Sequence, residues 1–404
     1  MHMFLLPFLI LLGALPALAG PYLTYSTRGE RMSWEMTVQP GGEVAIDLKD
    51  HKGEFKYDTR LNPEELQAVK AQVKAVDFFS LPEDPGERPL RSHFAIIRAC
   101  VDDGARQRCV KAYDDGPLDP FAKLLYRLVA QAEILRALRT ETDSFYLVPT
   151  AFSTNLAGAK VLQPAALRPA LIEYFQTHED LGKISQVFEA LCWSMTPEEL
   201  LGFTANQLEQ PARRGLMLQV LMGAPGNWPE TTQRALCPVY VAYLREAAPR
   251  RAQLSSEEGN YSREFMSRLG QEHYQPALPL LLQWFDEWDR NYVQVTFSPL
   301  AYLGESILRP MLTRLETPNE ERQLNAIQVM LYASRAKPIA QFATRQQHSY
   351  YAQTAKELRQ LTLPALQRLA SDDPSPKVRP KAAETLPLIE TELAEFEART
   401  APTR

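Results

Sequence analysis

The spacing of apolar and polar positions changes character partway along the chain. Up to about residue 140, short runs alternating in period two are interleaved with helical stretches; from about Pro164 onward the apolar residues fall on stripes of period 3.6. SWEMTVQ (33–39) alternates, Pro40-Gly41-Gly42 reads as a turn, and EVAIDLKD (43–50) resumes the alternation, which predicts a hairpin. LNPEELQAVKAQVKAVDFF (61–79) predicts a helix, with Asn62 as N-cap, Pro63 in the first position and Glu65 closing a capping box. A second β-rich pair of runs, HFAIIRACVDDGARQRCVKAY (93–113), flanks a turn signal. Asp119-Pro120 then opens another helix, with Phe121, Leu124, Leu128, Ala132 and Leu135 on one stripe. The order over residues 20–139 is ββαββα, most simply a four-stranded antiparallel sheet carrying both helices on one face, an α+β module. Periodicity lapses over 140–163, a connector, and an all-α part follows over 164–398.

The first residues, MHMFLLPFLILLGALPALAG, follow neither pattern. From Phe4 to Ala19 they are uncharged and nearly all apolar, and Ala17-Leu18-Ala19 supplies small residues before a cut. Residues 1–19 read as a cleaved export signal. An uncleaved anchor is the alternative, because no Lys or Arg precedes the apolar run; Pro7 and Pro16 make that run a poor membrane span. No later stretch approaches transmembrane length. The expected location is periplasmic or secreted, where disulfides persist.

Four cysteines bear on that expectation. If Gly104-Ala105 are the central residues of a type II′ turn, 103 pairs with 106 and, outward, Cys100 with Cys109. That pair falls on a non-hydrogen-bonded site, where the Cα atoms approach within disulfide range. A turn at Asp103-Gly104 would break the match and leave two thiols. Cys192 and Cys237 lie in helical stretches, and their pairing is open; none of the four has zinc-ligand spacing.

In the all-α part, DDPSPKVRPKAAETLPLIE (372–390) shows how the helices are arranged. Val378, Ala382, Leu386 and Ile389 share one face, and Leu363, Leu366 and Leu369 form the stripe of a short helix just before it. SDDPSP connects the two, with Ser375 placed to cap the second. A pair of short helices cannot bury both faces alone and needs neighbours stacked on either side. The segment LPALQRLASDDPSPKVRPKAAETLPLI resembles one HEAT repeat, in its Pro-x-Leu-x-x-Leu, its Asp-Asp-Pro turn and its Val-Arg opening. In that family the turn Asp and the second-helix Arg commonly form a ladder between repeats, which the resemblance would assign to Asp373 and Arg379. Pro387 departs from the pattern and should kink the second helix. Further copies begin at Pro279 and Pro310, 31 and then 54 residues apart from each other and from Pro364; the longer gap implies an inserted helix in RQQHSYYAQTAKELRQL (345–361). A weaker copy starts at Arg168. The expectation is an irregular HEAT-like α-solenoid.

Chemistry is sparse. His51, His93, His178, His273 and His348 are scattered, and no H-E-x-x-H, G-x-S-x-G, Walker loop or G-x-G-x-x-G occurs. His178-Glu179-Asp180 reads as a solvated turn rather than a metal site. No cofactor or metal is implied, and a net charge of −5 argues against a general nucleic-acid binder. Two aromatic groups remain. Trp284, Trp288 and Tyr292 share a helix face, either as a peptide-binding stripe or as packing between repeats. His348, Tyr350 and Tyr351 lie in the inserted segment, a candidate contact loop. The resemblance implies an exported non-catalytic scaffold or adaptor that binds another protein. An enzyme with a site in the N-terminal module or at its junction with the solenoid, and an envelope-anchored structural part, are the alternatives.

Overall fold

Strand alternation extends beyond the two expected hairpins. The computed structural model describes residues 20–28, 32–50, 53–84, 96–113, 119–140, 164–223, 228–287, 293–336 and 345–400. Its first elements are β1 (Leu23–Arg28), β2 (Met32–Val38), β3 (Glu43–Asp50), β4 (Gly53–Arg60), α1 (Pro63–Ala75), β5 (Ile96–Asp102), β6 (Gln107–Tyr113) and α2 (Asp119–Thr140). The order is therefore ββββαββα, which corrects the expected ββαββα. The antiparallel sheet has six strands rather than four, in the order β4-β3-β2-β1-β5-β6. The two unexpected strands carry little apolar signal: β4 (GEFKYDTR) is an edge strand whose apolar residues, Phe55 and Tyr57, are half-buried, and β1 (LTYSTR) buries Leu23 and Tyr25 in the core. A strand with one open face needs an apolar residue at every second position only.

One row of side chains crosses the whole sheet in register: Tyr57, Ile46, Met36, Tyr25, Ala99 and Val110. Val69 and Val73 of α1 and Val129 and Ala132 of α2 join the same core as these strands, so both helices serve the one sheet face, as expected. The capping box of α1 forms as read, Asn62 and Glu65 each accepting from the other's backbone N–H at 2.9 Å. At the β6 edge, the Lys111 N–H donates to the Glu83 carbonyl (2.8 Å) and Arg108 donates to the Leu81 carbonyl (2.6 Å), so residues 81–84 occupy part of that edge.

The β5–β6 turn takes the register that the disulfide argument required. The Asp103 N–H donates to the Arg106 carbonyl (3.1 Å), and Gly104 sits at φ +84, which leaves Gly104-Ala105 in the centre. Hydrogen bonds from the Arg106 and Ala105 backbone hold the Asp103 carboxyl below its ordinary range. Cys100 then stands opposite Cys109 with Cα atoms 4.0 Å apart and the sulfurs at disulfide distance, 2.13 Å. A link closing so short a loop contributes about 2–3 kcal/mol. Cys192 and Cys237 are buried thiols outside any disulfide, and burial pushes both up, Cys237 to about 12.

The chain divides into two compact units, Met1–Ser194 and Met195–Arg404. Helices α3 (Pro164–Thr177) and α4 (Leu181–Ser194) follow the change in periodicity but belong with the sheet-bearing unit. They form an antiparallel pair around Phe175 and Phe188, whose rings lie 6.2 Å apart. Asp180 caps α4 by accepting from the Lys183 N–H (3.1 Å), and His178 stacks on Tyr174, which is the turn role expected of that triplet.

The second unit is a succession of helix pairs: α5 (Pro197–Glu209) with α6 (Pro211–Met222), α7 (Glu230–Ala247) with α8 (Ser256–Gln271), α9 (Leu278–Glu287) with α10 (Phe297–Tyr302), and α11 (Glu305–Leu315) with α12 (Glu320–Arg335). After α13 (Arg345–Glu357) come α14 (Leu363–Asp372) and α15 (Val378–Thr400). The inserted helix expected between the copies is α13, which runs through a π-helical turn (Leu358–Thr362) straight into α14. The second helices stack in sequence order, α8 on α10, α10 on α12 and α12 on α15. Ser375 caps the last helix as read, its hydroxyl accepting from the Val378 N–H (3.1 Å). The helix continues through Pro387 to Thr400.

Candidate protein-interaction surface

The two aromatic groups that the sequence offered as candidate contacts face inward where they are described. Trp284 is 1 % exposed and belongs to the core of the second unit, which agrees with the packing alternative and not with the peptide-binding stripe. Trp288 and Tyr292 lie outside the described residues. In the inserted segment, Tyr351 is buried, stacks edge-on against Phe396 (4.6 Å) and donates from its hydroxyl to the Ser334 carbonyl. Tyr350 lies against Gly304, where an added Cβ would come within 2.6 Å of its ring, and its hydroxyl accepts from Gln275 (3.0 Å). Gly304 has φ +63, so both its backbone and its lack of a side chain admit that ring. The two tyrosines thus fasten α13 to the stack instead of offering a contact loop. The His348 side chain lies outside the described residues.

Burial pushes the Tyr350 hydroxyl up to about 12. A raised phenol contributes stability that is complete below the unfolded value of about 10 and is lost as pH rises through the folded one. Fastening of α13 should therefore weaken between about pH 10 and 12. Spectrophotometric titration checks this: Tyr350→Phe should lack one late-ionising phenol, and an unchanged late phase in that variant would contradict the docked position.

The ladder expected of Asp373 and Arg379 takes another form. Arg379 donates through Nε (2.8 Å) and Nη2 (2.6 Å) to the backbone carbonyl of Asp373, closing its own turn rather than reaching a neighbouring pair. The cross-pair bond is made by the Asp373 carboxylate, which accepts from Gln323 Nε2 (3.4 Å) on α12. Beside it, Glu320 accepts from Lys377 (2.8 Å) and Ser375 (2.5 Å), and these bonds hold its carboxyl below the ordinary range. The same edge continues down the stack. Arg314, ending α11, donates to both Asp286 oxygens, through Nε at 2.8 Å and through Nη2; Arg251, after α7, meets Glu287 at 3.0 Å. Each link joins one pair to the next, so four successive pairs are tied along their turn edge by residue types the HEAT pattern uses but at other positions.

Among the described residues of the second unit, the exposed large apolar side chains lie on the second helices. Tyr332 of α12 is 43 % exposed and Leu388 of α15 is 37 % exposed. Arg335 and Glu392, one turn further along each helix, form an ion pair at 3.4 Å. That pair ties α12 to α15, which stack on one another, while the Tyr332 ring lies 6.1 Å from that of Phe297 on α10. Both residues fall out of phase with their helix's own apolar stripe (Ala326, Met330 and Ala333 in one, Ala382 and Ile389 in the other), which is the sequence signal that would have found them. Among the described residues no cluster of His, Cys, Asp and Glu is arranged to hold a metal, and no helix is long and apolar enough to cross a membrane.

No family model matches the chain, and no curated protein matches it. Among solved structures it is similar to a designed armadillo repeat protein in complex with the peptide (KR)4, at 12% identity over 61% of this chain and 100% of that one, with a TM-score of 0.29. It is also similar to an engineered protein solved in a structural genomics programme, at 10% identity over 62% of this chain and 98% of that one, with a TM-score of 0.28. Scores of that size do not define a shared fold.

Proposed function

We propose that this chain is an exported, non-catalytic scaffold of HEAT-like helix pairs that holds another protein against the outer face of α12 and α15. The observation that carries the reading is the exposure of two large apolar side chains, Tyr332 on α12 and Leu388 on α15, on helices that stack on one another. An exposed aromatic and an exposed aliphatic residue on neighbouring helices, bordered by an Arg–Glu pair, have the composition of an interface centre with a polar border. Export is supported by the apolar, small-residue-terminated leader and by the Cys100–Cys109 pair at disulfide distance.

The test is affinity capture from the envelope fraction of the source cells, comparing the natural chain with Tyr332→Asp/Leu388→Asp. The double variant should lose its captured protein, with affinity at least about tenfold weaker, while its circular dichroism is unchanged. Equal capture by both chains would remove the basis for the reading.

A further inference from the structure

A second site lies on the turn edge of the stack, away from the α12–α15 face. The 3₁₀ turn after α7 (Ala248–Gln253) and the first two turns of α8 enclose a groove of about 660 Å³, bounded on one side by Glu287. Arg250, Arg251 and Arg263 line it, with Gln253, Ser256 and Asn260 between them. Two of these guanidinium groups are ion-paired among the described residues. Arg250 pairs with Glu258 at 2.5 Å, and Arg251 pairs with Glu287 at 3.0 Å. Among the described residues Arg263 bonds to the Asn260 side-chain oxygen at 2.8 Å and has no ion pair, while Glu246, paired with Arg214, also acts on Arg250.

The donor count points the same way. A guanidinium carries five N–H groups and no acceptor. Arg250 engages Glu258 through Nη1, and Arg263 engages Asn260 through Nη2, so most of their donors lack a protein acceptor within the groove. The start of α8 itself is already closed, because Ser255 and Glu258 form a capping box. What the groove offers is thus a set of side-chain donors and not a bare helix end. Planar forks of this kind match carboxylates in a bidentate manner. The volume lies in the range of clefts that enclose several ligand groups and far exceeds a single phosphate. Gln253, Ser256 and Asn260 add amide and hydroxyl groups suited to a peptide backbone.

We infer that this groove binds an acidic peptide segment of a partner protein, its Asp or Glu carboxylates held by Arg250, Arg251 and Arg263. The site does not depend on the α12–α15 face. The experiment is fluorescence anisotropy of the full chain with a labelled octapeptide of glutamate, the matching octapeptide of glutamine, and inorganic phosphate as competitor. The glutamate peptide should bind, more weakly as salt rises, and the glutamine peptide should not. Arg263→Glu should weaken binding by about tenfold or more with its thermal midpoint unchanged, since that side chain is exposed and makes one surface bond. Arg335→Glu, a charge reversal elsewhere on the second unit, should leave binding intact, as should Tyr332→Asp/Leu388→Asp. Absence of binding, equal loss in Arg335→Glu, full binding by Arg263→Glu, or displacement by phosphate at the peptide's own concentration would each overturn the assignment.

Discussion

Trp284→Ala should destabilise the second unit by about 3–5 kcal/mol, the range for deleting a large aromatic from a packed core. The side chain is 1 % exposed and sits beside Phe285, whose ring faces Phe297 of α10 at 6.1 Å. Contact along this line runs from the first helix of one pair to the second helix of the same pair and then, through Phe297 and Tyr332, to α12. Urea denaturation checks the figure. If Trp284 instead belonged to an open binding stripe, the same substitution would leave the midpoint in place and abolish capture of a partner, so one variant separates the two roles.

Gly270→Ala should also destabilise, by about 1–3 kcal/mol, although glycine to alanine inside a helix ordinarily stabilises by up to about 1 kcal/mol. Gly270 lies near the end of α8 at its crossing with α10, where an added Cβ would stand 2.6 Å from Pro299 Cα and 2.7 Å from the Pro299 carbonyl oxygen. Both are backbone atoms and cannot rotate away, so the helices would have to separate. Gly202→Ala on α5 is the control. Nothing lies within 4 Å of its added Cβ, and it should raise the thermal midpoint slightly. A neutral or stabilising Gly270→Ala would mean that α8 and α10 do not cross so closely.

Much of the local chemistry was legible in the residues, and the reasons are specific. The Asn62–Glu65 box, the Ser375 cap and the Cys100–Cys109 register depend on atoms a few positions apart, and spacing alone determines them. The inserted helix between the last two copies was likewise visible as surplus length. Strands β1 and β4 were not visible, because each shows few apolar residues of its own and is held by neighbours (β3 for β4, β2 and β5 for β1) that supply most of the apolar surface. Nor was the inward position of Tyr351, and for Trp284 the stripe left packing and binding as alternatives. A stripe shows which face of a helix is apolar, but a helix in a stack touches neighbours on several sides, and only the assembled pairs decide which aromatic is covered. The polar edge illustrates the same limit. Residue types suggested an Asp–Arg ladder, yet Arg379 found a nearer acceptor in its own turn, and Gln323 took the bond that crosses to the next pair.

The place of β1 has a consequence for how far the first unit can be shortened from its N-terminal side. As the strand joining the β2–β4 meander to the β5–β6 hairpin, it hydrogen-bonds on both sides, and Tyr22 just before it accepts from the Asp102 N–H at 2.9 Å. Only Gly20 and Pro21 separate that bond from Ala19. Loss of residues 20–28 would take out the middle strand and leave two fragments with raw edges, so the first unit depends on this segment to fold as one sheet.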